Sequence, residues 1–291
     1  MSENPQNLSP ERSLDDWSVA RLDLDAYLGR IGYTGPRDAT GATLAALYRA
    51  HLAAIRFENL DVFLRGGVAV DLDSIQDKIV TRGRGGYCYE QAQLFGAALE
   101  RLGFSVVRRL ARVGPDGDAA RGRTHLTLQV QTGNDSWLAD PGFGSSPSAP
   151  LTLNRYLPRG PEEVDGWIYQ VAPGLDNGDT VWKLRECQAG EWVTLHRWDE
   201  APVHPIDVAL SNHYTCTHPD SWFTWQPILV RRDPDSIRSI VGRSYTVLRP
   251  GHVKERRILT DAEFAAALTD EFSLKLTTDE IATLVAAPTA H

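Results

Sequence analysis

The sequence predicts an α+β fold in three successive parts: a helical N-terminal third, an antiparallel β section and a mixed α/β C-terminal part. Apolar residues recur at helical spacing up to Gly103, then give way to short β-rich runs separated by Gly, Asp and Asn clusters. Both kinds of pattern return after about residue 205. With 291 residues, 42% hydrophobic and 23% charged, the chain can bury a large core shared among several packed subdomains. No internal repeat, low-complexity tract or long linker interrupts it, and the parts divide at residues 1–103, 104–204 and 205–291.

Residues 1–15 read as a polar tail. Leu22, Leu24, Tyr27, Leu28 and Ile31 then mark a helix ending before Gly35-Pro36, and Leu44, Leu47, Tyr48, Leu52 and Ile55 mark a second over 40–55. Leu72, Ile75, Ile79 and Val80 suggest a third, closed by the loop Arg82-Gly83-Arg84-Gly85-Gly86. Leu94, Ala98 and Leu102 form the stripe of a fourth, which stops at Gly103 and places Cys88 near its N-terminus. Strands are expected over 104–113, 124–130, 136–139, 167–171, 180–184 and 191–195, enough for a barrel or a sandwich. In the last part, 222–230 and 245–248 read as strands and 261–268 and 278–285 as helices, forming a lid or third domain.

The formal net charge of -8 disfavours a nucleic-acid binder, whose surface must displace counterions from phosphate. No apolar h-region opens the chain and no segment approaches a membrane span, so a cytoplasmic protein is expected. The three cysteines, Cys88, Cys187 and Cys216, are odd in number and widely spaced, which argues against a disulfide framework. His213, Cys216 and His218 lie close in sequence but lack a fourth ligand, and no metal site is expected there. The aromatic cluster Trp222-Phe223-Thr224-Trp225 suits a lid or pocket wall in so acidic a chain.

Chemistry concentrates at Cys88. A helix N-terminus favours a thiolate, glycines before it permit a tight turn with close backbone approach, and first-turn N–H groups can stabilise an oxyanion. A nucleophilic thiol wants a base. In 123–130, alternation sets Leu126, Leu128 and Val130 on one strand face and His125 with Thr127 and Gln129 on the other, polar one. Taken alone, His125 reads as a solvent-facing strand histidine and Asp140, before Pro141-Gly142, as a turn residue. Together with Cys88 they supply nucleophile, base and orienting carboxylate. The Gly83 to Gly86 run lacks the Gly-Lys-Ser/Thr ending of a phosphate loop.

These residues resemble the arylamine N-acetyltransferase family. Arg84-Gly85-Gly86-Tyr87-Cys88-Tyr89-Glu90 matches its Arg-Gly-Gly-x-Cys-x-Glu motif, and Ile55-Arg56-Phe57-Glu58-Asn59-Leu60 is similar to another of its segments. Thr124-His125, Asp140-x-Gly142-Phe143-Gly144 and the stretch from Tyr214 to Phe223 follow in the family's order. The resemblance implies an N-terminal helical bundle, a central antiparallel β-barrel and a C-terminal α/β lid around a cysteine-protease-like triad core. It implies acetyl transfer from acetyl-CoA to arylamines or arylhydrazines by a ping-pong route, with Cys88, His125 and Asp140 as triad. Acetyl-CoA would be a co-substrate, with no permanently bound cofactor. Phe57, Tyr89 and Phe143 would line the acceptor slot, and Thr124, Gly144 and Phe223 the pantetheine path. Pro141 and Cys216 depart from the family pattern. The same triad would also serve a papain- or transglutaminase-like hydrolase, or persist in a silent relative that binds a CoA thioester or an aromatic ligand.

Overall fold

The computed structural model describes residues 17–116, 121–153 and 160–288. The polar N-terminal tail lies outside them. Helices α1 (Leu24–Arg30), α2 (Gly41–Ala54), α3 (Leu60–Leu64), α4 (Leu72–Ile75, continued as a π-turn over Gln76–Thr81) and α5 (Cys88–Arg101) form the first part, with a two-residue strand β1 (Phe57–Glu58) between α2 and α3. The expected helical third is thus not wholly helical. Asp23 and Thr40 cap α1 and α2 by accepting from the N–H three residues on.

Strands β2 (Ser105–Val113), β3 (His125–Thr132), β4 (Asp135–Ala139), β5 (Leu151–Thr152), β6 (Glu162–Val164), β7 (Trp167–Asp176), β8 (Asp179–Gln188) and β9 (Glu191–Trp198) make an eight-stranded antiparallel sheet ordered β5-β4-β3-β2-β9-β8-β7-β6. It curls into a nearly closed barrel. Its two edges meet where Thr152 donates through both N and Oγ1 to Glu162 Oε1, at 3.0 and 2.6 Å. Leu126, Leu128 and Val130 of β3 pack with Leu94, Phe95 and Leu99 of α5, whereas Leu138, Trp167, Trp182, Leu184 and Trp198 form a second core.

The last part begins with helix α6 (Pro205–Thr217), followed by a 3-10 turn over Trp222–Thr224 and strands β10 (Ile228–Asp233), β11 (Ser236–Val241), β12 (Ser244–Arg249) and β13 (Val253–Ile258). Helices α7 (Asp261–Ala266, continued over Ala267–Glu271) and α8 (Thr278–Val285) close it. The expected strand over 222–230 is therefore corrected to a turn followed by a strand. Ser221 terminates the preceding turn and Pro227 supplies no ladder donor, so pairing starts only at Ile228. β1 adds to this sheet, Phe57 facing Val230 and Glu58 facing Leu229. Among the described residues, no helix is long and apolar enough to cross a membrane.

Candidate active site

The loop before Cys88 is shaped by contacts that admit no side chain. A Cβ on Gly85 would stand 2.4 Å from the Arg56 carbonyl oxygen, and one on Gly86 would stand 2.9 Å from Glu90 Oε2. Gly86 instead runs alongside β1, its N–H donating to Arg56 O (3.1 Å) and its carbonyl accepting from Glu58 N (3.1 Å) and Gln91 Nε2 (2.6 Å). Glu90, in the first turn of α5, accepts from the Tyr87 N–H at 3.0 Å and so caps the helix that begins at Cys88.

Glu90 is itself held by Lys78, a residue the sequence marked only as part of a helix. Lys78 Nζ lies 2.9 Å from Glu90 Oε1 and 3.5 Å from both Glu58 Oε1 and Asp61 Oδ2, and Arg84 NH2 lies 3.5 Å from Asp61 Oδ1. All five side chains are buried. Two cations thus face three carboxylates. Burial disfavours the Lys78 charge, but Glu58, Glu90 and Asp61 outweigh it and hold the ammonium charged. Burial and the neighbouring Glu58, against the pull of Lys78, push Glu90 up to about 7.

Cys88 is 4% exposed, with Sγ 3.9 Å from the Thr124 carbonyl oxygen. The next residue, His125, opens β3. His125 is buried, which corrects its reading as a solvent-facing residue. In register it opposes Ala111, which opposes Trp198, so its polar face is the barrel interior. His125 Nε2 lies 2.7 Å from Asp140 Oδ2, which leaves Nδ1 as the ring nitrogen not engaged by the carboxylate. Asp140 follows the last residue of β4, on the face His125 occupies. Gly142 brings the loop back against Cys88: a Cβ there would stand 2.8 Å from Cys88 Cα and 2.9 Å from its carbonyl oxygen. Pro141 is accommodated, with the Asp140 carbonyl accepting from Ser146 Oγ, which also accepts from Phe143 N at 3.2 Å.

Burial disfavours a charged imidazole, yet the Asp140 carboxylate and the Cys88 sulfur together raise His125 to about 10. Burial would raise Asp140, but its histidine partners hold it well below the ordinary carboxylate range. Its second partner, His196 of β9, was missed because the expected strand stopped at Leu195, one residue short. His196 Nε2 stands 2.9 Å from Asp140 Oδ2, oblique to the ring's N–H axis. Burial lowers His196 despite Asp140. His125, Asp140 and His196 are, among the described residues, the one group whose atoms converge as metal ligands would. Asp140 Oδ2 already shares a hydrogen bond with His125 Nε2 at 2.7 Å, with His196 Nε2 beside it at 2.9 Å. His213, Cys216 and His218 form no such group; Cys216 is buried in α6, its Sγ 3.9 Å from Asn212 Nδ2.

The other expected site residues fall into two sets. Phe143 packs edge-on against His125 (5.1 Å between centroids) and His196 (5.0 Å). Phe57, Phe223 and Gly144 gather beside it: the Phe57 and Phe223 rings are 6.2 Å apart, and a Cβ on Gly144 would lie 3.6 Å from Phe57. Asn59 fixes Phe223 by donating to its carbonyl (2.8 Å) and to that of Gln226 (3.1 Å), while its Oδ1 accepts from Ile228 N (2.7 Å). Tyr89 stands apart. It is fully buried, with its hydroxyl 3.1 Å from Thr215 Oγ1, and its ring packs on Tyr87, which in turn packs on Phe223.

A family model described as N-acetyltransferase matches residues 41–281. The arylamine N-acetyltransferase of Escherichia coli K12 is 32% identical over 92% of this chain and 97% of its own. The crystal structure of Nocardia farcinica arylamine N-acetyltransferase aligns with a TM-score of 0.85 at 38% identity, covering 92% of this chain and 95% of that one. Mycobacterium marinum arylamine N-acetyltransferase in complex with CoA aligns with a TM-score of 0.82 at 30% identity, over 91% and 100%. Because the likeness runs through the helices, the barrel and the last sheet, and not through the thiol loop alone, this chain is an enzyme that belongs to the arylamine N-acetyltransferase family.

Proposed function

We propose that the protein transfers the acetyl group of acetyl-CoA to the amino nitrogen of an arylamine or arylhydrazine in two half-reactions through Cys88. The observation that carries this reading is the His125–Asp140 pair, 2.7 Å apart, beside Cys88, whose Sγ lies 3.9 Å from the carbonyl oxygen of the residue preceding His125. In the first half-reaction the Cys88 sulfur attacks the acetyl carbonyl carbon, first-turn N–H groups of α5 receive the oxyanion, and the carbon–sulfur bond to CoA breaks. The departing thiolate takes the His125 proton. In the second, the amine attacks the acetyl-cysteine, His125 accepts the amine proton, and Cys88 leaves as thiolate. Exchange of one thioester for another is nearly balanced in free energy, which suits a thiol to this donor.

The fold divides this labour. Residues 1–103 bring the nucleophile, 104–204 the base and its carboxylate, and 205–291 cover them. Phe57 and Phe143 form the aromatic wall of the acceptor slot, with stacking of about 0.5–1.5 kcal/mol beyond burial, and Tyr89 acts on it at one remove, through Tyr87 and Phe223. Thr124, Gly144 and Phe223 flank the pantetheine path, the absent Gly144 side chain leaving room beside Phe57. A relative of the same fold solved in complex with CoA supports a CoA thioester as the donor.

Acetyl-CoA alone should add one acetyl group to the wild type by intact mass spectrometry, an arylamine should remove it, and Cys88→Ala should acquire none. A wild type that forms no adduct, or loses it to water at a rate indifferent to amine, overturns the reading.

A further inference from the structure

We infer that His196 is a positioning residue for the triad, a neutral second donor that holds Asp140 in its anionic state so that the proton stays on His125. The inference rests on the triad role proposed for Cys88, His125 and Asp140.

A carboxylate and an imidazole buried together have two ways to share a proton. Both are 2% exposed or less, and in such surroundings the neutral pair, carboxylic acid with imidazole, competes with the ion pair because neither charge is solvated. The ion pair prevails when a further donor reaches the carboxylate. His196 is the group placed to do so, with its Nε2 in contact with the carboxylate although the ring's N–H axis is oblique to that contact. Its Nε2 is 2.9 Å from the oxygen that already faces His125, and its ring lies 4.9 Å from the His125 ring, between Phe143 at 5.0 Å and Trp198 at 5.4 Å. These apolar rings fix its orientation.

The surroundings also fix its charge. Neither His196 nitrogen makes a well-aligned hydrogen bond among the described residues, but Nε2 has the Asp140 carboxylate 2.9 Å away whereas Nδ1 has no such neighbour. A cationic ring would bury an unpaired N–H there, 4.9 Å from a second cation on His125, whereas a neutral ring with its proton on Nε2 leaves only a lone pair. The groups facing the pair are Asp140, His125 and, beyond His125, Cys88. A neutral donor stabilises the carboxylate without competing for the positive charge. Substituting a second cation for it would pull the shared proton away from His125.

The test uses iodoacetamide alkylation of Cys88, followed by mass spectrometry in the absence of acetyl-CoA. His196→Leu removes the donor at similar volume; His196→Gln keeps an N–H at nearly the same place. Relative to wild type, His196→Leu should alkylate about tenfold more slowly at pH 6, with the difference vanishing at alkaline pH, and His196→Gln should recover most of the rate. Superimposable wild-type and His196→Leu profiles, or no recovery by His196→Gln with both variants folded, overturn the inference. Nitrogen-15 NMR of the wild type supplies a check that needs no variant: His196 should appear as the neutral Nε2–H tautomer and His125 as imidazolium at pH 7, and an Nδ1–H or cationic His196 refutes it. A wild-type Cys88 no more reactive than that of His125→Ala would refute the triad itself, a separate outcome.

Discussion

Gly142→Ala is the sharpest test of how the Asp140 loop is seated. The added Cβ meets Cys88 Cα at 2.8 Å and the Cys88 carbonyl oxygen at 2.9 Å, against about 3.5–4.0 Å for comfortable carbon contacts. The overlap is about 0.7–1 Å, and both atoms it meets are backbone, so no side chain can swing away. Either the first turn of α5 or the loop bearing Asp140 must move, and each carries one end of the Cys88–His125–Asp140 line. Displacing reacting groups by about 1 Å costs on the order of a hundredfold in rate, and overpacking of this kind about 1–3 kcal/mol in stability. Single-turnover acetylation of Cys88, timed by intact mass, should fall by about that factor, with urea denaturation reporting the stability loss. Gly190→Ala separates the two effects. Gly190 has φ +91° with nothing within 4 Å, at the β8–β9 turn, so alanine there should lose about 1–2 kcal/mol and acetylate normally. Acetylation of Gly142→Ala within twofold of wild type would refute the proposed seating.

Further expectations follow from the buried charges. Asp140→Asn should lower single-turnover acetylation by about 10⁴, because an amide cannot hold the His125 proton, and its alkylation at neutral pH should fall with it. Stability should decline as pH rises from about 6.5 through about 10, since His125 binds its proton more tightly folded than unfolded; urea titrations at pH 6, 8 and 10 would show it, and a flat profile would contradict the His125–Asp140 assignment. Glu90, raised to about 7 from an ordinary 4.5, contributes in the same sense between those values, and Glu90→Gln should remove the slope there. Lys78→Met leaves Glu58, Asp61 and Glu90 without their shared cation and should destabilise the fold by about 3–5 kcal/mol in urea denaturation.

Much of the scaffold is legible from residue order because local rules decide it. The stripe of Leu94, Ala98 and Leu102 and the run of glycines before Cys88 announce α5 and its start, and the alternation around Leu126 announces β3. Contacts between distant segments escape local rules. A two-residue strand such as β1 has no periodicity to detect. The charges of Glu58, Asp61, Lys78 and Glu90 look like four ordinary polar residues until they converge. Helix α6 was not anticipated: its His, Asn, Tyr and Thr residues are weak helix formers, Ile206, Leu210 and Tyr214 lie exposed, and the buried stripe of Val208, Asn212, Thr215 and Cys216 is half polar, so no apolar stripe signals it. His196 could have been found, since Thr194, His196 and Trp198 continue the alternation of β9 past the point where the strand was ended.

The pairing of β1 with β10 bears on the order in which the enzyme is made. The Gly86 loop rests on β1, and β1 is completed by β10, with Asn59 bonded to Ile228 across 169 residues of chain. A ribosome delivers α5 and the barrel long before it delivers Ile228. Until then the nascent polypeptide has its thiol, its imidazole and its carboxylate, yet lacks the strand that holds the loop in register. Contacts of such long sequence separation form late and slowly. The seating of the Gly86 loop is therefore complete only once the last third of the chain has folded back onto the first.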